Sequence, residues 1–249
     1  MDPRPVLPEP DNAGGGRYEC ILPLRQGSFF MRAVIFANGE INHMPSAAQL
    51  VRGDDRIISV DGGMRHVQAL GLKSYLIIGD MDSILPDLLL SAQQDGIEIL
   101  RFPSEKDETD LELAIQLVQQ RGFTECLVIG ALGGRIDQTL ANIWLLLSGQ
   151  QADFKMVFDD GCERLSLVTD ALTIVGTPGD IISLIPFGSP VSGITTAGLA
   201  YPLVDETLYP EKTRGLSNVM TAEEAEIKVG SGRLLCVQRR VAACKKEKK

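Results

Sequence analysis

Histidine is almost missing from this 249-residue chain: His43 and His66 are the only two. A histidine-rich transition-metal centre is therefore excluded, and any metal chemistry falls to hard cations held by carboxylates. Cys20, Cys126, Cys162, Cys236 and Cys244 are odd in number, widely spread and lack a C-x-x-C pair, so they read as reduced thiols. Cys126, inside CLVIG, reads as core filling. Positive charge is also short, with 24 Lys and Arg against 33 Asp and Glu and a net charge of −9. That leaves no broad basic surface for nucleic acid or an anionic membrane. No apolar run approaches the roughly 18 residues that span a bilayer, and the start lacks the basic-then-apolar order of a secretion signal. A cytoplasmic protein is expected. Neither G-x-x-x-x-G-K-[ST] nor G-x-G-x-x-G occurs, which argues against a P-loop kinase and a dinucleotide dehydrogenase.

What is present is an ordinary globular composition, 44% hydrophobic and 23% charged, enough for one large core or two modest ones. Residues 1–30, with four prolines by position 10 and Gly14-Gly15-Gly16, read as a disordered leader or an appended extension. From 31 to about 158, apolar runs alternate with helical stretches in the rhythm of a parallel sheet covered on both faces. Strands are predicted near 33–37, 56–60, 75–79, 97–100, 126–130 and 154–158, and helices near 45–51, 64–70, 86–94, 110–121 and 136–147. Trp144, on the apolar stretch IWLLL, is expected in the core. Beyond Asp159-Asp160-Gly161, strand follows strand with Gly/Pro punctuation, near 165–168, 172–175, 181–186, 191–195, 225–229 and 233–238. This predicts an antiparallel sandwich or barrel. The expected division is 31–153 as an α/β domain, 154–243 as a β domain and 244–249 as a charged tail.

Ligands of open parallel sheets bind past the carboxyl ends of the strands. Asn38, then Asp61-Gly62, follow the first two predicted strands. Asp80 and Asp82 follow the third; they project to one side if the strand continues, and two close carboxylates suit Mg²⁺ with substrate phosphates. The competing reading is turn chemistry, with Asp82 or Ser83 capping the next helix. Asp107 and Asp110, three apart, share a face if both begin a helix, while Thr109 and Glu112 spell a capping box. Lys106 sits among these acids and can meet a phosphate. Gly133-Gly134-Arg135 precedes a helix start, where free N–H groups make an anion site; a plain glycine turn explains the pair equally.

Taken together, DGG at 61–63, GDMDSI at 79–84, KDETDLE at 106–112, GALGGRIDQTLAN at 130–142, GITTAGLAYPL at 193–203 and RGLSN at 214–218 resemble the thiamin pyrophosphokinase family in order and spacing. The resemblance runs from about residue 31 to 240. It implies an α/β, Rossmann-like nucleotide-binding domain followed by an antiparallel β-sandwich that binds thiamin. It also implies transfer of diphosphate from ATP to the thiamin hydroxyl, giving thiamin diphosphate and AMP. The protein would be a homodimer, with thiamin between one subunit's α/β domain and the other's β domain. On that basis Asp80, Asp82, Asp107 and Asp110 are the expected catalytic and Mg²⁺-binding residues, with Asp82 the candidate base. Asn38, Asp61, Gly62, Lys106, Thr109, Gly133, Gly134, Arg135, Asp137 and Gln138 are expected around the nucleotide, and Ser217 and Asn218 around thiamin. Should an aromatic ring stack on the pyrimidine, the candidates are Tyr201, Tyr209 and Phe187. Two other readings use the same residues: an Mg²⁺-dependent nucleoside polyphosphate hydrolase, and a non-catalytic nucleotide or thiamin sensor. Thiamin-dependent AMP release separates the transferase from the hydrolase, and thiamin binding without turnover in Mg-ATP would mark the sensor.

Overall fold

A computed structural model describes residues 31–148 and 154–244. The expected leader, Cys20 and the lysine-rich end from 245 lie outside the described residues. The described residues form two compact units: one of 31–40, 51–148 and 154–156, the other of 41–50 and 157–244.

In the first unit, β1 (Arg32–Phe36), β2 (Arg56–Val60), β3 (Leu76–Gly79), β4 (Glu98–Arg101) and β5 (Glu125–Ile129) pair in the parallel order β5-β1-β2-β3-β4. The strands are continuous apolar runs because both faces are covered: Val34, Ile35, Phe36, Ile77, Ile78 and Ile129 are fully buried. Helices α2 (Met64–Ala69), α3 (Pro86–Gln94) and α4 (Asp110–Gln120) connect β2 through β5, and α5 (Ile136–Leu145) follows β5. Helix α4 buries Leu111, Leu113, Ala114, Ile115, Leu117 and Val118. Each of the leucine, isoleucine and valine side chains contributes about 1.5–3 kcal/mol on burial. Met64 of α2, Ile77 of β3 and Ala92 of α3 share a core cluster with Met81 and Ile84. Cys126 is core, as expected, and burial pushes its thiol pKa up.

Helix α5 departs from expectation. None of its residues is buried, and Trp144 is 48% exposed in line with Ile136 and Leu140. The apolar stripe is real, but the described residues of this chain do not bury it.

The second unit begins with α1 (Met44–Ala48) and contains two antiparallel sheets. One has the order β12 (Asn218–Val219), β9 (Ile181–Pro186), β14 (Leu234–Arg239), β7 (Glu163–Val168), β6 (Lys155–Asp159). The other is ordered β11 (Glu206–Leu208), β10 (Val191–Ala197), β13 (Glu224–Lys228), β8 (Ala171–Val175). Ile182, Leu184 and Leu234 of the first sheet and Ile174, Ile194 and Ile227 of the second share one core, the layering of a β-sandwich. The strand near 154–158 begins beside β5, where Lys155 N–H donates to the Thr124 carbonyl at 2.9 Å, and runs antiparallel to β7 through Val157–Asp159. The tight turn at Gly161, with φ +87°, reverses the chain directly. Among the described residues no helix is long and apolar enough to cross a membrane.

Candidate functional site

The ends of β1 to β5 open on a cleft of about 560 Å³ in the first unit. Close backbone approach builds its floor. Gly39 N–H donates to the Gly130 carbonyl at 2.8 Å, and a Cβ on Gly39 would lie 2.9 Å from the Leu132 carbonyl and nearer still to that of Gly130. Gly79, with φ +146°, leaves room for the Asp61 carboxylate, which a Cβ there would strike.

The acids do not lie as strand geometry alone predicts. Met81 takes φ +70° and is buried, so the chain turns after Asp80, and the Asp82 N–H donates back to the Asp80 carboxylate at 3.1 Å. Asp80 lines the cleft; Asp82 is exposed, does not line it, and accepts the Ser83 hydroxyl at 2.8 Å. Neither Asp82 nor Ser83 caps α3, whose N-cap is Leu85 without a side-chain bond. Asp107 and Asp110 do not share a helical face. Thr109 is the N-cap of α4, accepting the Glu112 N–H at 3.2 Å, so Asp107 falls outside the helix and is exposed. The reciprocal half of the box is not made: Glu112 instead accepts from Gln116 at 3.4 Å.

The acidic centre that does form combines Asp61, Asp80 and Asp110. Asp61 sits at φ +43° after β2, and its pKa is pushed up to about 7. Burial contributes most, followed by the charge of Asp110, a hydrogen bond with it, and the charge of Asp80; the Met81 N–H works in the opposite direction. Burial acts to raise Asp80 as well, but bonds from the Asp82 backbone, Ser104 and Asp82, with the charge of Lys106, hold it below the usual carboxylate range. Asp110 Oδ1 is buried, lies 3.1 Å from Lys106 Nζ and makes no hydrogen bond. Hard carboxylate oxygens gathered this closely in a half-buried cleft are the donor type that suits a divalent cation. Among the described residues, no three His, Cys, Asp or Glu side chains are already closed around a metal position.

Cationic groups face these acids. Lys106 gives one of its three donors to the Pro103 carbonyl at 2.7 Å, and its side chain is 9% exposed. Arg135 lines the cleft and is bidentate to Asp137, at 3.1 and 2.5 Å; Asp137 itself does not line it. Asn38, Gly133, Gly134, Thr109 and Gln138 also line the cleft, whereas Gly62 packs beneath the Asn38 side chain. Asn142 holds the Ala131 carbonyl at 2.8 Å, fixing the loop into α5, whose first turn has no side-chain cap. Arg65, Ser104 and Glu108 were not expected here. Arg65 donates to the Asn38 carbonyl at 2.7 Å, and its signal was its place in the first turn after DGG. Its neighbour His66 donates Nε2–H to the Gly39 carbonyl at 2.8 Å.

In the second unit, Ser217 is exposed at φ +58°, while the Asn218 amide is consumed by the backbone. It accepts from Tyr201 N at 3.0 Å and Val219 N at 2.9 Å, and donates to the Tyr201 carbonyl at 2.7 Å. Asn218 thereby fixes Tyr201, whose ring is exposed, as is that of Tyr209; Phe187 is buried.

Two family models match: the thiamin pyrophosphokinase catalytic domain over residues 47–165, and its vitamin B1 binding domain over residues 172–234. The thiamine pyrophosphokinase of Bacillus subtilis is 25% identical over 206 residues, 82% of this chain and 96% of that one. Thiamine pyrophosphokinase 1 of Oryza sativa is 31% identical over 62% of each chain. The Bacillus subtilis enzyme's crystal structure superimposes with a TM-score of 0.76 at 24% identity, over 84% of this chain and 99% of that one. For the yeast enzyme the TM-score is 0.68 at 17% identity, over 86% and 87%. With both domain models matched in order over well over half its length, the chain belongs to the thiamin pyrophosphokinase family.

Proposed function

We propose that this chain transfers the diphosphate of ATP to the hydroxyl of thiamin, releasing thiamin diphosphate and AMP, in the cytoplasm. The observation that carries the reading is the convergence of five parallel strand ends on one cleft, where Asp61, Asp80 and Asp110 face Lys106 and Arg135. Such a transfer requires polyphosphate charge to be offset and the acceptor oxygen held in line, which positioning and electrostatics supply. Lys106, Arg135 and Arg65 bind phosphate oxygens, and the N-terminal N–H groups of α5 add donors. Mg²⁺ would be held by Asp80 and Asp110 with Asp61 beside them, and by Asp82 and Asp107 through water; when bound, it neutralises the transferring phosphates. A carboxylate at the end of β3 takes the proton of the attacking hydroxyl.

Thiamin would lie against Ser217, with Tyr201, fixed by Asn218, as the stacking ring. The protein would act as a homodimer, one copy's α/β unit meeting thiamin held by the other's β unit. The exposed stripe Ile136, Leu140 and Trp144 supports such an interface, since apolar patches of this kind mark association surfaces. The test is AMP release from Mg-ATP with and without thiamin. Thiamin-dependent AMP is the expected result; nucleotide cleavage indifferent to thiamin would replace this reading with a hydrolase.

A further inference from the structure

The end of the described chain is fastened to the turn between β6 and β7. Asp159, fully buried, accepts the Gly161 N–H at 2.9 Å and both arms of the Arg240 guanidinium at 2.8 Å. Asp160 accepts the N–H groups of Cys162 and Glu163, at 2.8 and 2.7 Å, and the Asn42 amide at 2.9 Å. Arg240 N–H then donates to the Cys162 carbonyl at 2.9 Å, and Val241 N–H to Asp180 at 3.1 Å. One turn further on, Cys244 N–H donates to the Arg240 carbonyl at 3.1 Å, which returns Cys244 to the place where Cys162 lies. Both cysteines line one small cavity of about 160 Å³, together with Asn42 and His43. The two cysteines are neighbours in this cavity, and burial first, then the proximity of Cys244, push the Cys162 thiol pKa up to about 12. Cys126 and Cys236 are buried within strands β5 and β14, and no such pairing is assigned to them.

We propose that Cys162 and Cys244 form a thiol–disulfide site, bridged by exchange with a small-molecule disulfide such as oxidised glutathione. Cys162 is 3% exposed, whereas Cys244 is partly exposed, so reaction begins at Cys244. The Cys244 thiolate attacks the glutathione disulfide, forming a mixed disulfide and expelling one glutathione thiolate. The Cys162 thiolate then attacks Cys244 Sγ, breaks the mixed bond and expels the second. Two protein thiols are oxidised, one small disulfide is reduced to two thiols, and the two protons lost by the protein thiols are taken up by the two glutathione thiolates expelled. A high Cys162 pKa makes the second step slow, so the bridge forms over prolonged exposure rather than in a rapid burst. Once closed, it locks residues 240–244 onto the β6–β7 turn and restricts the unfolded chain between residues 162 and 244.

The experiment treats the full reduced chain with excess oxidised glutathione, then reads intact mass and a non-reducing peptide map. The expected product has lost two hydrogen masses, carries no glutathione at 162 or 244, and yields a linked peptide pair containing both residues. Cys162→Ser should retain glutathione on Cys244, and Cys244→Ser should show neither bridge nor adduct at these positions. The bridged chain should also melt several degrees above the reduced one, a difference erased by dithiothreitol. A lasting adduct on Cys244 of the unmutated chain, a bridge from either residue to Cys20, Cys126 or Cys236, or no reaction at Cys244 would overturn the proposal. The peptide map of the unmutated chain decides even if a variant folds poorly.

Discussion

Asp110 and Asp82 belong to neighbouring motifs of similar character, yet the fold treats them differently. Asp110 is half-buried beside Lys106 and Asp61, whereas Asp82 stands in solvent. Replacing Asp110 or Asp80 with Asn should therefore lower kcat by about 10²–10³, the cost of losing one well-placed electrostatic contact at a transferring group. Asp82→Asn should cost about tenfold or less, as for a group acting through water. Steady-state AMP release on the three variants checks the ranking, and equal losses would return Asp82 to the centre of the site. His66 gives a second test at this scale. Burial lowers its pKa from 6.5, Arg65 acts in the same direction, and the Gly39 carbonyl opposes them. A base that is harder to protonate when folded contributes stability that is complete above 6.5 and drains away as pH falls from there toward the lower folded-state value. The melting temperature should thus fall between pH about 7.5 and about 5.5, and His66→Gln, which keeps a donor for Gly39 but cannot titrate, should flatten that part of the curve. An unchanged slope in the variant would mean that another group is responsible.

At the scale of elements, the turn after β3 is where backbone and chemistry are least separable. Gly79→Ala would force φ +146° on a residue with a Cβ and drive that atom into the Asp61 carboxylate. A loss of about 2–3 kcal/mol in urea unfolding is expected, together with a loss of activity, from strain plus displacement. Gly96→Ala is the control: its φ is +69°, but nothing lies within 4 Å of the added atom, so about 1 kcal/mol and no loss of activity is expected. The same turn marks the limit of sequence reading. The parallel strands were legible because residues buried on both faces leave uninterrupted apolar runs, and the Thr109 cap because its chemistry is local. The direction of Asp82 was not, because a single left-handed residue, Met81, rotates everything after it, and no period records that. Asp107 failed for a related reason: spacing three apart means a shared face only inside the helix, and the cap at Thr109 excludes it. The exposure of Trp144 escaped as well, since an apolar stripe does not state whether its cover comes from the same chain.

For the whole molecule, the decisive question is whether one copy is sufficient. The cleft in the first unit carries acids and cations suited to a nucleotide, while Ser217 and Tyr201 belong to the second unit. A dimer in which each thiamin site draws on both copies makes a prediction that independent sites cannot imitate. Asp110→Asn disables the α/β contribution, and Ser217→Arg, at an exposed position, blocks the thiamin contribution. Each variant alone should be nearly inactive. Mixed in equal amounts and allowed to exchange subunits, half of the dimers become heterodimers, each with one site built from two unmutated halves and one built from two mutated halves. About a quarter of the unmutated activity should return, following the symmetry of a two-fold assembly. Recovery should fail when Ile136, Leu140 and Trp144 are replaced by Glu in both partners, because the copies then have no apolar face on which to meet. If mixing restores nothing while light scattering confirms exchanged dimers, each copy carries a self-contained site, and the interface assignment for thiamin falls while the chemistry of the cleft stands.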